Sequence, residues 1–204
     1  MSKNTKEKIL EAAQNVFAET GLNGARMQKI ADKAGVNKAM LHYYFKNKKL
    51  LFRKVFELIA PKMFPKVLGI INQDVGLEEK IRILVNNYSE FLRKNSEIPL
   101  LIIAELHRHP EEFSQSFMKA VDSLDFDPVK ILQKDIDKGV EEGRFRSFDA
   151  RELLINILSL CIFPIGGRKV IEKFIFEGNS DQYDKFLESR KYTVAEFIIK
   201  SIEK

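Results

Sequence analysis

The chain has one cysteine in 204 residues. Cys161 therefore has no partner for an internal disulfide, and it reads as a small, inert core residue in a reducing cytoplasm. Long hydrophobic runs are missing as well. The most apolar stretch, Leu153 to Ile165, has 13 residues and is interrupted by Asn156 and Ser159. A bilayer span needs about 20, so this stretch reads as a buried or interface helix. The amino terminus is polar and leads directly into a helical pattern, so no signal peptide, no membrane partner and a cytoplasmic location are expected.

Catalytic signatures are also absent. No nucleophile elbow, phosphate loop or paired-histidine zinc motif occurs. His107 and His109, with Glu105 and Glu111, invite a metal reading, but residues two apart on a helix diverge and Pro110 disturbs the geometry. Gly166-Gly167-Arg168 reads as a flexible joint after Pro164, not as an anion cradle. Neither enzyme activity, nor a metal, nor a cofactor is expected. No alternating run long enough for a sheet follows Lys48, and no repeat or low-complexity segment interrupts the chain. The fold class is all-α.

What is present is asymmetric charge. Residues 1–50 hold ten basic residues against four acidic ones, whereas residues 51–204 hold 24 against 25. The whole excess of the chain's net +5 lies in the first quarter. Such asymmetry indicates a localised polyanion footprint. At 45% hydrophobic residues, the remainder is able to bury a sizeable core, giving one small and one medium domain.

Within that basic quarter, Met27, Ile30, Ala31 and Ala34 recur at helical spacing on one stripe. Gly35 follows as a left-handed turn residue, and Asn37 as the N-cap of a second helix. On that helix Leu41 and Phe45 face inward. Ala39, His42, Tyr43 and Lys46 share the opposite stripe, with Lys38 beside them and no carboxylate among them. A small residue, a glycine and an apolar residue at Ala31, Gly35 and Leu41 are what a helix-turn-helix needs in order to push one helix into the DNA major groove. Ile9, Ala13, Val16 and Phe17 mark a preceding amphipathic helix closed by Gly21.

The stretch Thr5 to Phe52 closely resembles the DNA-binding domain of TetR-family transcriptional regulators. The resemblance rests on Thr-Lys-Glu-Lys-Ile-Leu-Glu-Ala-Ala from Thr5, Val-Phe-Ala-Glu-Thr-Gly from Val16, Ile-Ala-Asp-Lys-Ala-Gly-Val-Asn-Lys from Ile30, and Leu-His-Tyr-Tyr-Phe-Lys-Asn-Lys from Leu41. It implies a dimeric, all-helical repressor whose larger C-terminal domain binds a small effector. Carried over by position, Lys38, Ala39, Met40, His42 and Tyr43 are implied recognition-helix contacts. Tyr44 and Lys48 are implied phosphate contacts, and Arg26 and Gln28 fall where some members also touch DNA. Asn37 and Lys46 complete the expected DNA-binding set. Two departures stand out: Ala25 and Arg26 where the family usually opens its second helix with Thr or Ser, and Ala39 and Met40 where Gly or Thr often sits.

The expected domains are 1–47 for DNA binding and 48–204 for effector binding and dimerisation. Asn47 should cap a helix through Leu50, Leu51, Val55 and Leu58, ending near Ala60 because of Pro61 and Pro65. Asn72 to Gly76 reads as a loop. Further helices are marked by Ile81, Leu84, Tyr88, Phe91 and Leu92, then by Pro99 to His107, then by Phe113, Phe117, Ala120, Val121 and Leu124 after Pro110. Asp127-Pro128 starts another, with Val129, Leu132, Ile136 and Val140 inward. Asp149 should cap the next, with Glu152 reaching back and Phe148 stapled to Leu153. Glu142 to Arg146 resembles the family's approach to its first dimerisation helix.

Two helices are expected to pair with their symmetry mates. The first would use Leu153, Leu154, Ile157, Leu158 and Cys161; the last, Val194, Phe197 and Ile198. An effector pocket is expected around Phe64, Tyr88, Phe91, His107 and Phe117. The expected partners are a double-stranded DNA operator, a second copy of the chain and a small hydrophobic or amphipathic effector. The alternatives are a regulator of this fold with no effector, and a non-specific DNA-packaging protein, which would not need the large apolar second domain.

Overall fold

In the computed structural model the described residues are 4–94, 96, 103, 107, 111, 118, 121, 122 and 124–204. Among them the regular structure is helical, with one isolated bridge between Phe145 and Glu203. The helices are α1 (Thr5–Gly24), α2 (Met27–Ala34), α3 (Lys38–Tyr44), α4 (Lys48–Leu68), α5 (Leu77–Lys94), α6 (Pro128–Glu141), α7 (Ala150–Gly166), α8 (Arg168–Ile175) and α9 (Ser180–Ile202). A short 3-10 turn, Gly69–Asn72, follows α4. The chain forms two compact units, Met1–Met63 with Glu97–Ser123, and Phe64–Ser96 with Leu124–Lys204. The division falls inside α4.

In the first unit, Asn4 starts α1 with a capping box. Its side chain accepts from the Lys6 N–H at 3.0 Å, and its own N–H donates to Glu7 at 3.2 Å. Gly21 at φ +64° breaks the last turn of α1. The core holds Ile9, Ala13, Val16 and Phe17 of α1, Ile30, Ala31 and Ala34 of α2, Leu41 and Phe45, and Leu51, Phe52 and Val55 of α4. Phe17 meets Phe52 edge-to-face at 5.2 Å. Glu19 accepts from Lys33 at 2.6 Å and Lys29 at 3.1 Å, tying α1 to α2. Those two ammonium groups, Lys33 foremost, hold the Glu19 carboxyl below the usual carboxylate range.

The helix after Asn47 does not end near Ala60. It continues through Pro61 and Pro65 to Leu68. Each proline removes one N–H from the helical ladder, a loss spread along a 21-residue helix.

In the second unit, α5 packs against α7 and α9. Ile81, Leu84, Val85 and Leu92 of α5 meet Leu132 and Ile136 of α6, Leu153 and Ile157 of α7, and Val194, Ile198 and Ile202 of α9. Lys80 is only 4% exposed and is paired to Asp135 at 2.7 Å. At the end of α6, the Phe145 ring lies on Gly139, where a Cβ would come within 2.0 Å of it. Asp127 caps α6 through the Val129 and Lys130 N–H groups. Asp149 caps α7 by accepting from the Arg151 N–H at 2.7 Å, and the Arg151 guanidinium pairs with the same carboxylate at 2.7 Å. The return bond of the expected capping box, from the Asp149 N–H to the Glu152 carboxylate, is not made.

The joint after Pro164 is a sharp bend between two helices. Gly167 ends α7 and starts α8, and the two helices meet at 75°. The Tyr183 hydroxyl, fully buried, donates to the Pro164 carbonyl. The expected helices at Pro99 to His107 and from Pro110 through Phe113, Phe117 and Ala120 lie largely outside the described residues, although His107 and Val121 are helical. No single helix among the described residues is long and apolar enough to cross a membrane.

Candidate nucleic-acid interface

The reading head is built from α2, a turn and α3. Ala31, fully buried, faces its neighbours without a bulky side chain. Gly35 sits at φ +67°, ψ +34°. Its N–H donates to the Asp32 carbonyl and the Val36 N–H to the Ala31 carbonyl, both at 3.1 Å. This pair is the Schellman arrangement that closes a helix through a left-handed residue. A Cβ on Gly35 would meet nothing within 4 Å, so the glycine is required for its backbone angle and not for space. Asn37 then caps α3, its side chain accepting from the Met40 N–H at 2.7 Å.

Leu41 and Phe45 anchor α3 in the core. Lys38, Ala39, Met40, His42, Tyr43, Tyr44 and Lys46 are all exposed. Tyr43 is 83% exposed, and its ring meets Tyr44 edge-to-face at 5.4 Å. With its proton on Nδ1, His42 makes a long bond to the Lys46 carbonyl at 3.4 Å, leaving Nε2 outward. The surface therefore offers ammonium groups, an imidazole, phenol hydroxyls and ring edges without a carboxylate. Phosphate oxygens take the cations, and base edges take the polar tips.

The flanking residues divide. Arg26 is exposed at the extended N-cap of α2, with no side-chain cap of its own. Gln28 is exposed, but its amide donates to Asp32 at 2.8 Å on the same helix. Lys48, expected at the phosphates, has a structural bond as well. It is half-buried, and its ammonium donates to the Ala25 carbonyl at 2.8 Å, tying the start of α4 to the approach to α2. Sequence position showed a lysine near the reading head, but not the carbonyl 23 residues away that binds it.

The expected dimer face needs a larger correction. Leu153, Ile157 and Cys161 of α7, and Val194 and Ile198 of α9, are buried in the subunit's own core, and Leu154 is half-buried against it. Only Leu158, 48% exposed, and Phe197, 64% exposed, look outward. They are joined by Ile155, Phe163 and Tyr192, which sequence reasoning missed. Helix α7 has Glu152, Asn156 and Ser159 on one exposed stripe, but the rest of its surface is apolar and too wide for its pattern to say which part stays inside.

The pocket expectation also divides. Phe64, Tyr88 and Phe91 are half-buried, and burial pushes the Tyr88 hydroxyl well above the usual phenol range. His107 is exposed. Amphipathic character does not fix the side of a helix on which a residue lies. Phe117 lies outside the described residues. Among the described residues no group of His, Cys, Asp or Glu is placed to hold a metal ion.

Comparison with known proteins agrees with this geometry. A profile described as bacterial regulatory proteins, tetR family, matches residues 9–55. A second, described as tetracyclin repressor-like, C-terminal domain, matches residues 78–198. The chain belongs to the TetR family. Among relatives of this TetR-family chain, the HTH-type transcriptional repressor NicS of Pseudomonas putida is 28% identical over 184 residues, covering 89% of this chain and 85% of its own. A transcriptional regulator from Saccharomonospora viridis, solved in complex with choline, has a TM-score of 0.69 at 22% identity, covering 98% and 97% of the two chains. The regulator FadR from Bacillus subtilis, solved in complex with stearoyl-CoA, has a TM-score of 0.61 at 21% identity, covering 95% and 97%. At those identities the two structures share the fold.

Proposed function

We propose that this TetR-family protein is a homodimeric transcriptional repressor, released from a palindromic operator by a small hydrophobic or amphipathic effector. Residues 1–47 would read DNA and residues 48–204 would bind the effector and dimerise. The observation that carries the reading is the outward surface of α3: Lys38, Ala39, His42, Tyr43 and Lys46, without a carboxylate, held rigidly by the buried Leu41 and Phe45. Met40, Tyr44, Arg26, Gln28 and Asn37 border it, and Lys48 positions it through the Ala25 carbonyl. Two such surfaces in a two-fold dimer would read half-sites about one helical turn apart, or a little more.

The dimer face in this reading is the apolar surface left on α7 and α9 by Ile155, Leu158, Phe163, Tyr192 and Phe197. Large apolar side chains exposed on two helices that pack together are what a second subunit would cover. Helix α4 belongs to both compact units, so a ligand that binds unequally to two positions of α4 would shift operator affinity. Phe64, Tyr88 and Phe91 are the candidates for contact with that effector. The repressor named among the relatives and the ligand-bound neighbours support the regulatory reading.

The test is affinity for a palindrome from the protein's own promoter against random duplex of equal length. A preference of a thousandfold or more at physiological salt supports the reading. Equal affinity overturns it in favour of non-specific packaging.

A further inference from the structure

Where α5, α7 and α9 meet, the second unit has a small cleft. Leu92, Cys161 and Pro164 are buried at its floor, with Leu187 beside them. Its rim carries three cations and two carboxylates. Arg93 pairs with Glu90 at 3.2 Å, and Lys191 with Glu188 at 3.5 Å. That leaves one positive charge over, on Arg190.

Arg190 is half-buried. One N–H of its Nη2 is spent on the Leu160 carbonyl at 2.7 Å, and its guanidinium lies 5.5 Å from the centre of the Phe186 ring. Its Nε–H is buried and has no hydrogen-bond acceptor. Among the described residues no carboxylate lies within ion-pair distance of it. Removing a guanidinium from water without an anion is costly, and the planar fork of arginine matches a carboxylate better than a point ion does. At the same place the Ser89 hydroxyl donates to the Cys161 sulfur at 3.8 Å, so Arg190 carries the unmatched donor of the cleft.

We propose that this cleft binds the carboxylate of a small organic acid, with Arg190 as counter-ion and the apolar floor against the first carbons of its chain. Cleft space of about 30 Å³ admits a head group and not a whole large ligand. Tyr88, one of the aromatic positions considered above for the effector, lies close to Cys161 at this cleft, so the proposal rests on the effector reading and names the chemistry of its ligand. Binding is assayed without DNA, so its failure leaves the operator reading intact.

The probe is hexanoate, titrated calorimetrically into the full-length DNA-free protein, with hexanamide and chloride as controls at matched ionic strength. The only cysteine of the chain lines the cleft, so the rate of Cys161 alkylation by iodoacetamide locates the binding. Saturable heat with hexanoate, and at least fivefold slower alkylation that neither control reproduces, is the expected result. Arg190→Gln, which keeps an N–H for the Leu160 carbonyl, should abolish both effects. Absence of saturation in the native protein overturns the proposal. Equal protection by hexanamide or chloride overturns it too, as does undiminished protection in a folded Arg190→Gln.

Discussion

Arg190 donates to the carbonyl of Leu160 at 2.7 Å, and that is the carbonyl whose helical partner Pro164 removes. The N–H of residue 164 would have closed this turn of α7, but proline has none. A side chain from α9 takes its place. The Tyr183 hydroxyl then takes the Pro164 carbonyl at the end of the same helix. One interior proline is thus compatible with α7 because α9 supplies the missing donor.

This pairing makes a double-mutant cycle informative. Arg190→Ala should destabilise the protein by about 1–3 kcal/mol, the range for losing a charged hydrogen-bond partner to a half-buried carbonyl. In a Pro164→Ala background the backbone N–H returns, and the same substitution should cost at least about 1 kcal/mol less. Urea denaturation of the four variants checks it. Additive costs would mean that Arg190 does not repair the helix.

Two glycines should fail for different reasons. Gly35→Ala has room but the wrong backbone angle, and should cost about 1 kcal/mol. Gly139→Ala has an ordinary helical backbone but drives a Cβ to 2.0 Å from the Phe145 ring, and should cost about 1–3 kcal/mol or more by overpacking. D-Ala at position 35, introduced by semisynthesis, should restore stability there. At position 139 it should not.

On the reading surface, Lys46→Ala should weaken operator and random DNA alike and lower the salt slope of binding by about one. Tyr43→Ala should leave that slope unchanged and lose affinity for the operator selectively. Both residues are exposed, so melting temperatures should stay near that of the parent. A fall in melting temperature for either would place the side chain in the fold and not at the DNA.

Leu158→Glu and Phe197→Asp should give folded monomers, whereas Ile157→Asp should unfold the second unit. Sedimentation and circular dichroism distinguish these outcomes. A dimer that survives both outward substitutions would move the interface elsewhere.

Acid should loosen the α1–α2 contact. Glu19 is held below its ordinary value of 4.5, first by Lys33 and then by Lys29. The ion pairs therefore contribute fully above that value and are lost as pH falls through the lowered pKa. Glu19→Gln should flatten the acid arm of melting temperature against pH, with little change at neutral pH.

The helix-turn-helix was legible because its constraints are local. Gly35 needs a backbone angle, Asn37 caps the helix it begins, and Leu41 of that seven-residue helix lies four residues before Phe45, its C-cap. Asp127 and Asn47 announce their helices for the same reason. Local rules also misled in places. Proline is a breaker in isolation, yet α4 runs through Pro61 and Pro65.

By itself the amino-acid sequence determined the all-helical class, the helix starts and the family, because caps, turns and apolar spacing act over a few residues. Only the tertiary structure decided that Ile157 and Cys161 stay inside while Leu158 and Phe197 look out. It also decided that Lys48 serves Ala25 and that Arg190 serves Leu160. A helix whose apolar surface is wider than one stripe carries no record of which part its neighbours cover. A cation carries no record of which distant carbonyl folding will bring within 3 Å of it.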